Sequence, residues 1–406
     1  MNRGDEGANA PKKQQLTTIY LDEYGVDASY FASKFDFMKE DLERNRLWLS
    51  KVSGTGTYKT AVWFIPHFTY AYYGGIYTIL RFAEFLTRKY GMRHTFVVQG
   101  VSKITKEPDM IKEAFPLLAS SRYYPLTNEQ SVFSHIPDHD IGFCTAWQTA
   151  YPLLKFNRVR KKLYFMQDFE PYFYPAGSIS GLAEATYRFG FTAICNTEAL
   201  KESYEAYGGK AVHFSPAVDR TVFYPADEAE ETKDKYRIIF YGRPFGIRNC
   251  FELAIEAIKR VKNDLGDQVE IISAGGGWKL RDYGLENIVR NLDRLPYEKT
   301  GDLYRSCDVG LALMMTRHTS YIPLELMACG CLVVTNRSRW KNWLLRNREN
   351  CLLSEPSVSC LAETIMEGLS DHKLRRTLVQ NAYRDIEEKP GWDEEFERVM
   401  KEIFND

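Results

Sequence analysis

The sequence predicts an α/β protein of two consecutive units, each a mostly parallel sheet wrapped on both faces by helices. Three observations carry that reading. Short continuous apolar runs, such as Thr60–Pro66, suit strands buried on both faces. Segments of helical periodicity alternate with them, as parallel crossovers require. The alternation breaks once, between Val222 and Tyr236, where Pro225 and the charge run DEAEETKDK read as a solvated linker or surface turn, and then restarts.

Taken in order, residues from about Asp36 to Leu49 mix charged and apolar side chains at helical spacing. Thr60–Pro66 is the first strand. A loop containing Gly74-Gly75 leads to a helix at Ile76–Tyr90, where Ile79, Leu80, Ala83 and Leu86 share a face. Strands follow at Thr95–Val98, Asp140–Cys144 and Lys162–Met166. Gly181–Arg188 reads as a helix, Thr192–Asn196 as a strand, and Thr197–Tyr207 as a helix capped by Asn196. In the second unit the strands are Arg237–Tyr241, Val269–Ser273, Val309–Leu313 and Cys331–Thr335, with helices at Cys250–Leu265 and Pro323–Cys329. Trp392–Phe404 closes the chain as a helix with Phe396, Val399, Met400 and Ile403 on one face. The expected division is a disordered polar tail over 1–18, a first domain over 19–224, a second over 225–390, and a terminal helix over 391–406 that returns to the first domain.

Composition narrows the function. The 406 residues carry 53 Lys+Arg against 54 Asp+Glu, a net charge of −1, which supplies no basic footprint for nucleic acid. The 26 Tyr and 24 Phe argue against disorder outside the termini. No apolar run approaches the ~18 residues of a membrane span, and residues 1–15 hold no apolar signal core. The eight cysteines form no CxxC pair, so neither a zinc finger nor a disulfide framework is expected. The expected setting is the reducing cytoplasm.

Three constellations carry chemistry. Gly74-Gly75 and Gly275-Gly276-Gly277 each follow a strand, where backbone amides can approach an anion; each also reads as a tight turn, and neither is a GxGxxG or a P-loop. In Tyr241-Gly242-Arg243-Pro244-Phe245-Gly246-Ile247-Arg248-Asn249, two arginines five apart stand in a turn between strand and helix. They can grip a diphosphate bidentately, or simply be surface arginines. In the stretch Arg317-His318-Thr319-Ser320-Tyr321, Thr319 and Ser320 can cap a helix with Pro323 in its first turn, leaving amides free for an anion. Glu325 then lies in an otherwise apolar helix, either answering the helix dipole or, if buried, paired or liganded. Asp138-His139-Asp140 has the form of a metal-binding DxD, but Pro137 between His135 and His139 argues against a shared helical face, and no metal is expected.

The arginine turn, the glycine run after Val269–Ser273, the segment Leu295–Asp308 and the helix LELMACGCLVVT stand in the order found in retaining GT-B glycosyltransferases of the glycogen-synthase-like group, which the chain resembles over roughly residues 60 to 385. The first domain, with its tyrosines and the segment MQDFEPYFYP, is most similar to bacterial rhamnosyltransferases of surface-layer or rhamnan glycans. The resemblance implies two Rossmann-like domains facing across a cleft, with the nucleotide sugar mainly on the second domain and the acceptor on the first. It implies transfer of L-rhamnose from dTDP-rhamnose to a glycan hydroxyl with retention, at the cytoplasmic membrane face if the acceptor is lipid-linked, and with no cofactor.

On that reading Arg243 and Arg248 offset the leaving diphosphate, Asp168 faces the reacting sugar or the acceptor hydroxyl, and Glu325 accepts from the ribose. Gly74, Gly75, Gly276, His318, Thr319, Ser320 and Tyr321 complete the donor site. Phe169 and Tyr172 would cover a C6 methyl. The group's paired glutamates eight apart are here Arg317 and Glu325, and its Lys in the arginine turn is Arg248. Its His-Asp pair is Gln167-Asp168. Because arginine has no acceptor, Arg317 cannot hold sugar hydroxyls as a glutamate does. Two other readings stand beside transfer: a nucleotide-sugar 2-epimerase on the same fold, and a binding partner without turnover.

Overall fold

The computed structural model describes residues 27–52, 57–127, 130–226 and 235–405. The expected N-terminal tail and most of the charged run after Ala226 lie outside the described residues. Two parallel sheets form the two units. The first has seven strands: β1 (Thr60–Pro66), β2 (Arg93–Gln99), β3 (Arg122–Leu126), β4 (His139–Cys144), β5 (Val159–Met166), β6 (Thr192–Cys195) and β7 (Lys210–His213), in the order β3-β2-β1-β4-β5-β6-β7. The second has six: β8 (Tyr236–Tyr241), β9 (Val269–Ala274), β10 (Arg290–Asn291), β11 (Val309–Leu311), β12 (Leu332–Asn336) and β13 (Leu352–Ser354), in the order β10-β9-β8-β11-β12-β13. This is the two-domain GT-B architecture, with a cleft between the sheets.

Each apolar run becomes a central strand because both of its faces are covered. Ala61 to Ile65 in β1 are buried throughout, and alternate residues face two different cores. Trp63 belongs to one, stacked on Phe143 of β4 at 3.9 Å with planes 5° apart. Val62 and Phe64 belong to the other, beside Trp147 and Leu154. The chain's last helix, Trp392–Asn405, inserts Phe396, Val399, Met400 and Ile403 into the first of these cores. Arg88 and Asp393 pin it at 2.7 Å.

The structure adds strands where local signals are weak. β3 contains Pro125, which an edge strand tolerates and a central one does not. β7 and β13, four and three residues long, are also edges. Two start signals are corrected. Gly74 and Gly75 are the first residues of a helix, Gly74–Tyr90, rather than a loop before it. The helix Glu198–Glu205 is capped by Thr197, whose side chain accepts from the Leu200 amide, so Asn196 is released for another partner.

Candidate functional site

In each sheet the strand order reverses once, between β1 and β4 and between β8 and β11. Ligands of open α/β sheets bind outside the carboxyl ends of strands at such switch points. Here the two switch points face one another. A cleft of about 640 Å³ lies between them, lined by the loops after β1 (His67 to Tyr73), β4 (Thr145, Ala146), β8 (Arg243, Arg248) and β11 (Met314, His318).

One end of the cleft is built for negative charge. Arg243 reaches in exposed, with the Tyr241 hydroxyl 3.3 Å from its Nη1 and no ion pair among the described residues. Arg248 lies over the Phe173 ring at 4.0 Å, and its Nε stands 3.2 Å from Asp168 Oδ2. Asp168 also accepts from the Phe169 amide at 2.7 Å and from the Thr316 hydroxyl. His318 is buried, and burial pushes its imidazole down to about 4, so it is neutral. The Ser320 amide donates to Nδ1 at 3.0 Å, which leaves the proton on Nε2. That Nε2–H is buried at the cleft wall with no protein partner among the described residues. An unanswered buried donor near the Asp168–Arg248 pair is a demand for an acceptor.

The other end is built for hydroxyls. Glu325, on the helix Ile322–Ala328, lines the cleft, and among the described residues no protein donor reaches its carboxyl. Burial, and to a lesser degree the Asp219 carboxylate, push it up to about 8. Asp219 is itself held low, against burial, by the Thr221 hydroxyl and by Arg81 at 3.0 Å. Tyr297 donates towards Asp219 at 3.4 Å and packs on Tyr77 at 4.8 Å.

Between the two ends Tyr321 joins the domains. Its hydroxyl meets the Thr78 hydroxyl at 2.9 Å, Asn196 Nδ2 at 2.5 Å and Gln167 Oε1 at 3.2 Å, all from the first domain. A Cβ at Gly74 would lie 3.2 Å from the Tyr321 ring, so a side chain there would have to push that ring aside by a few tenths of an ångström. Gly275 takes φ +132, and a Cβ would meet the Tyr241 ring at 2.5 Å. Gly275, rather than Gly276, lines the cleft.

The structure thus brings Gly74, Gly75, Asp168, Arg243, Arg248, His318, Ser320, Tyr321 and Glu325 to one cleft. Thr319 is not among them: it is buried, and its hydroxyl accepts from Trp343 Nε1 at 2.9 Å. Neither Thr319 nor Ser320 caps the following helix. The cap position is Tyr321, and Ser320 adopts the left-handed φ of 72° that presents its amide to His318. Phe169 and Tyr172 do not line the cleft; Arg317 occupies them, its guanidinium 3.9 Å from the Phe169 ring, 5.4 Å from Tyr172 and 5.2 Å from Trp340. Arg317 does not line the cleft. Asp138 pairs with Arg158, His139 binds Thr95 at 2.8 Å, and Asp140 accepts from Lys59 and Thr60, so each member of that DxD has a structural partner.

Sequence reasoning missed Tyr70, Tyr73, Phe173 and Arg294. Arg294 lies over Tyr70 at 4.4 Å and Arg243 over Tyr73 at 5.5 Å, across the cleft in both cases. The tyrosine-dense stretch Thr69 to Gly75 was the available signal.

Residues 69–198 match the family model described as the WsaF N-terminal domain, and residues 236–366 the model of the WsaF C-terminal domain. The O-antigen biosynthesis protein RfbC of Myxococcus xanthus is 39% identical over 376 residues, 91% of this chain; the chain spans 29% of that protein's length. The uncharacterized glycosyltransferase MJ1607 of Methanocaldococcus jannaschii is 26% identical over 181 residues, 42% of this chain and 44% of the relative. Among solved structures, Anabaena Alr3699/HepE in complex with UDP and glucose aligns with a TM-score of 0.68 at 14% identity, over 85% of this chain and 99% of that one. Sucrose-phosphate synthase of Thermosynechococcus elongatus aligns at 0.65 and 14% identity, over 86% and 98%. At such identities these structures establish the fold.

Proposed function

The chain belongs to the WsaF family, and from that premise we propose that it transfers a sugar from a nucleotide sugar to a growing surface glycan, specifically L-rhamnose from dTDP-rhamnose with retention at the anomeric carbon. The observation that carries the reading is the polarity of the cleft. Among the described residues, a His318 Nε2–H without a partner, an Arg243 without an ion pair and a Glu325 carboxyl without a donor line the same cleft. A nucleotide sugar offers the matching groups, a diphosphate and the hydroxyl-bearing pentose of its nucleoside. The RfbC relative, named for O-antigen biosynthesis, and HepE, solved with UDP and glucose, support the same direction.

The chemistry assigned to each residue follows from its charge and place. Arg243 and Arg248 offset the charge that develops on the leaving diphosphate, as a divalent ion would elsewhere. His318 Nε2–H donates to a phosphoryl oxygen. Glu325 takes the 3′-hydroxyl of the nucleoside sugar. Asp168 faces the reacting sugar from the first domain while holding Arg248, so a bound diphosphate competes with a carboxylate already in place. We place the boundary between the donor-binding and acceptor-binding halves near residue 225. A lipid-linked glycan is the proposed acceptor.

The deciding experiment incubates the protein with dTDP-rhamnose or UDP-glucose, with and without a glycan acceptor, and assigns the anomeric configuration of the product by NMR. Transfer from dTDP-rhamnose with retention is expected. Conversion of the nucleotide sugar without acceptor would indicate an epimerase, and tight binding without turnover a non-catalytic partner.

A further inference from the structure

Nine large hydrophobic side chains stand exposed among the described residues, and four of them gather at the diphosphate end of the cleft mouth: Phe245, Ile247, Met315 and Tyr172. Phe245 is 85% exposed, which for a benzyl group on a loop is a standing cost in water. Backbone and stacking contacts join the four into one surface across both domains. The Met315 amide donates to the Arg248 carbonyl at 2.7 Å, which places it beside Ile247. Arg248 stacks on Phe173, the neighbour of Tyr172. Tyr172 reaches Arg317, and Arg317 reaches Trp340, on which Arg339 also stacks at 4.2 Å.

The four segments that build this rim are 169–176, 241–255, 311–323 and 336–343. They carry Arg243, Arg248, Arg317, Arg337, Arg339 and Lys341; Lys341 is buried, Arg248 pairs with Asp168 and Arg337 with Glu355, which leaves Arg243, Arg317 and Arg339 as the cations with no ion pair among the described residues. The chain as a whole is balanced, at 53 positive and 54 negative residues, so three arginines without an ion pair at one rim are a local feature. Arg317 and Arg339 have no ion pair among the described residues.

We infer that this rim docks on a bilayer surface rich in anionic phospholipid, with Phe245, Ile247 and Met315 entering the headgroup boundary and Arg339 meeting lipid phosphates. Apolar tips flanked by aromatic residues and arginine match the interface of a membrane, where apolar burial and attraction to anionic headgroups act together. A second copy of the chain fits less well. A two-fold contact through this patch would set arginines against arginines. A neutral glycan would use ring faces and hydroxyl partners, and would leave the aliphatic tips of Ile247 and Met315 unanswered. Because the patch borders the cleft, docking there would hold the site at the surface that carries a lipid-linked substrate. The inference stands apart from the transfer reaction, since binding to vesicles needs neither donor nor acceptor.

The test is flotation of the full chain with vesicles of phosphatidylcholine alone and with equimolar phosphatidylglycerol, at two salt concentrations. Binding to the anionic vesicles, weakened by salt, is expected, with little on phosphatidylcholine. The Phe245→Ser/Ile247→Ser double variant should lose at least about tenfold in partition coefficient, with its melting temperature and dTDP affinity unchanged. Arg339→Ala should weaken anionic binding and flatten the salt dependence. Should the double variant fail to fold, Met315→Ser and Phe245→Ser singly replace it. No binding to either vesicle, or equal binding by wild type and variants, overturns the proposal. So does patch-dependent dimerisation in gel filtration without vesicle binding. Failure of sugar transfer alone leaves it untouched.

Discussion

Asp168 and Arg248 come from different domains and meet across the cleft, Oδ2 and Nε 3.2 Å apart, with Asp168 nearly enclosed and Arg248 about a third open. A carboxylate of the first domain therefore holds a cation of the second. Removing either partner leaves the other charge in a poorly solvated place, which is costly. The pair should be energetically coupled. A double-mutant cycle on Asp168→Ala and Arg248→Ala, read in turnover and in melting temperature, should give an interaction of about 1–3 kcal/mol. Additive effects would show that the contact has no functional weight.

Arg243→Ala should lower turnover by ~10²-fold, the usual loss of one strong contact to developing charge. It keeps its charge free of any carboxylate among the described residues, so little stability should be lost with it. Transfer should persist in EDTA. Restoration of an EDTA-killed activity by Mg²⁺ or Mn²⁺ would contradict the role given to the two arginines.

Tyr321→Phe removes a hydroxyl that three first-domain side chains share. Buried partners left unanswered cost about 1–3 kcal/mol. The variant should melt several degrees lower and bind donor more weakly, because the hydroxyl fixes one domain against the other. Calorimetric melting with and without dTDP would show both effects.

Glu325 and Glu170 are both pushed up to about 8 by burial, well above an unfolded carboxyl near 4.5. The folded state therefore binds more protons than the unfolded one between those values. Their contribution to stability is fully present below pH ~4.5 and is lost as pH rises through about 8. The empty protein should melt lower at pH 8.5 than at pH 6. In Glu325→Gln that difference should shrink, since an amide does not titrate. An unchanged difference would remove Glu325 as its source.

Arg317→Glu would place a carboxylate against the faces of Phe169, Tyr172 and Trp340, which favour a cation. Stability should fall by about 1–3 kcal/mol, and use of UDP-glucose should not improve. A gain in UDP-glucose turnover would mean that position 317 can reach the sugar.

The central strands were legible because the property that makes them is local. A run such as Thr60–Pro66 is apolar at every position, and only a strand covered on both faces uses such a run. The face of the last helix was readable from its spacing, and the candidate anion-binding turns from glycine and arginine placed just past strand ends. The sequence by itself thus determined two parallel α/β units and which ends of them carry polar chemistry. Where the signal was weak, as in β3 with Pro125, the strand lay at an edge, and its existence was decided by a neighbour rather than by its own residues. Partner choice was decided wholly by tertiary structure. Nothing near position 317 in the chain announces that Phe169 and Tyr172 will enclose it, or that Arg248 will face Asp168 and Tyr321 will face Asn196. Those contacts join residues from 80 to 148 positions apart, and periodicity and propensity act over a few residues only. Packing one domain against the other is what sets them.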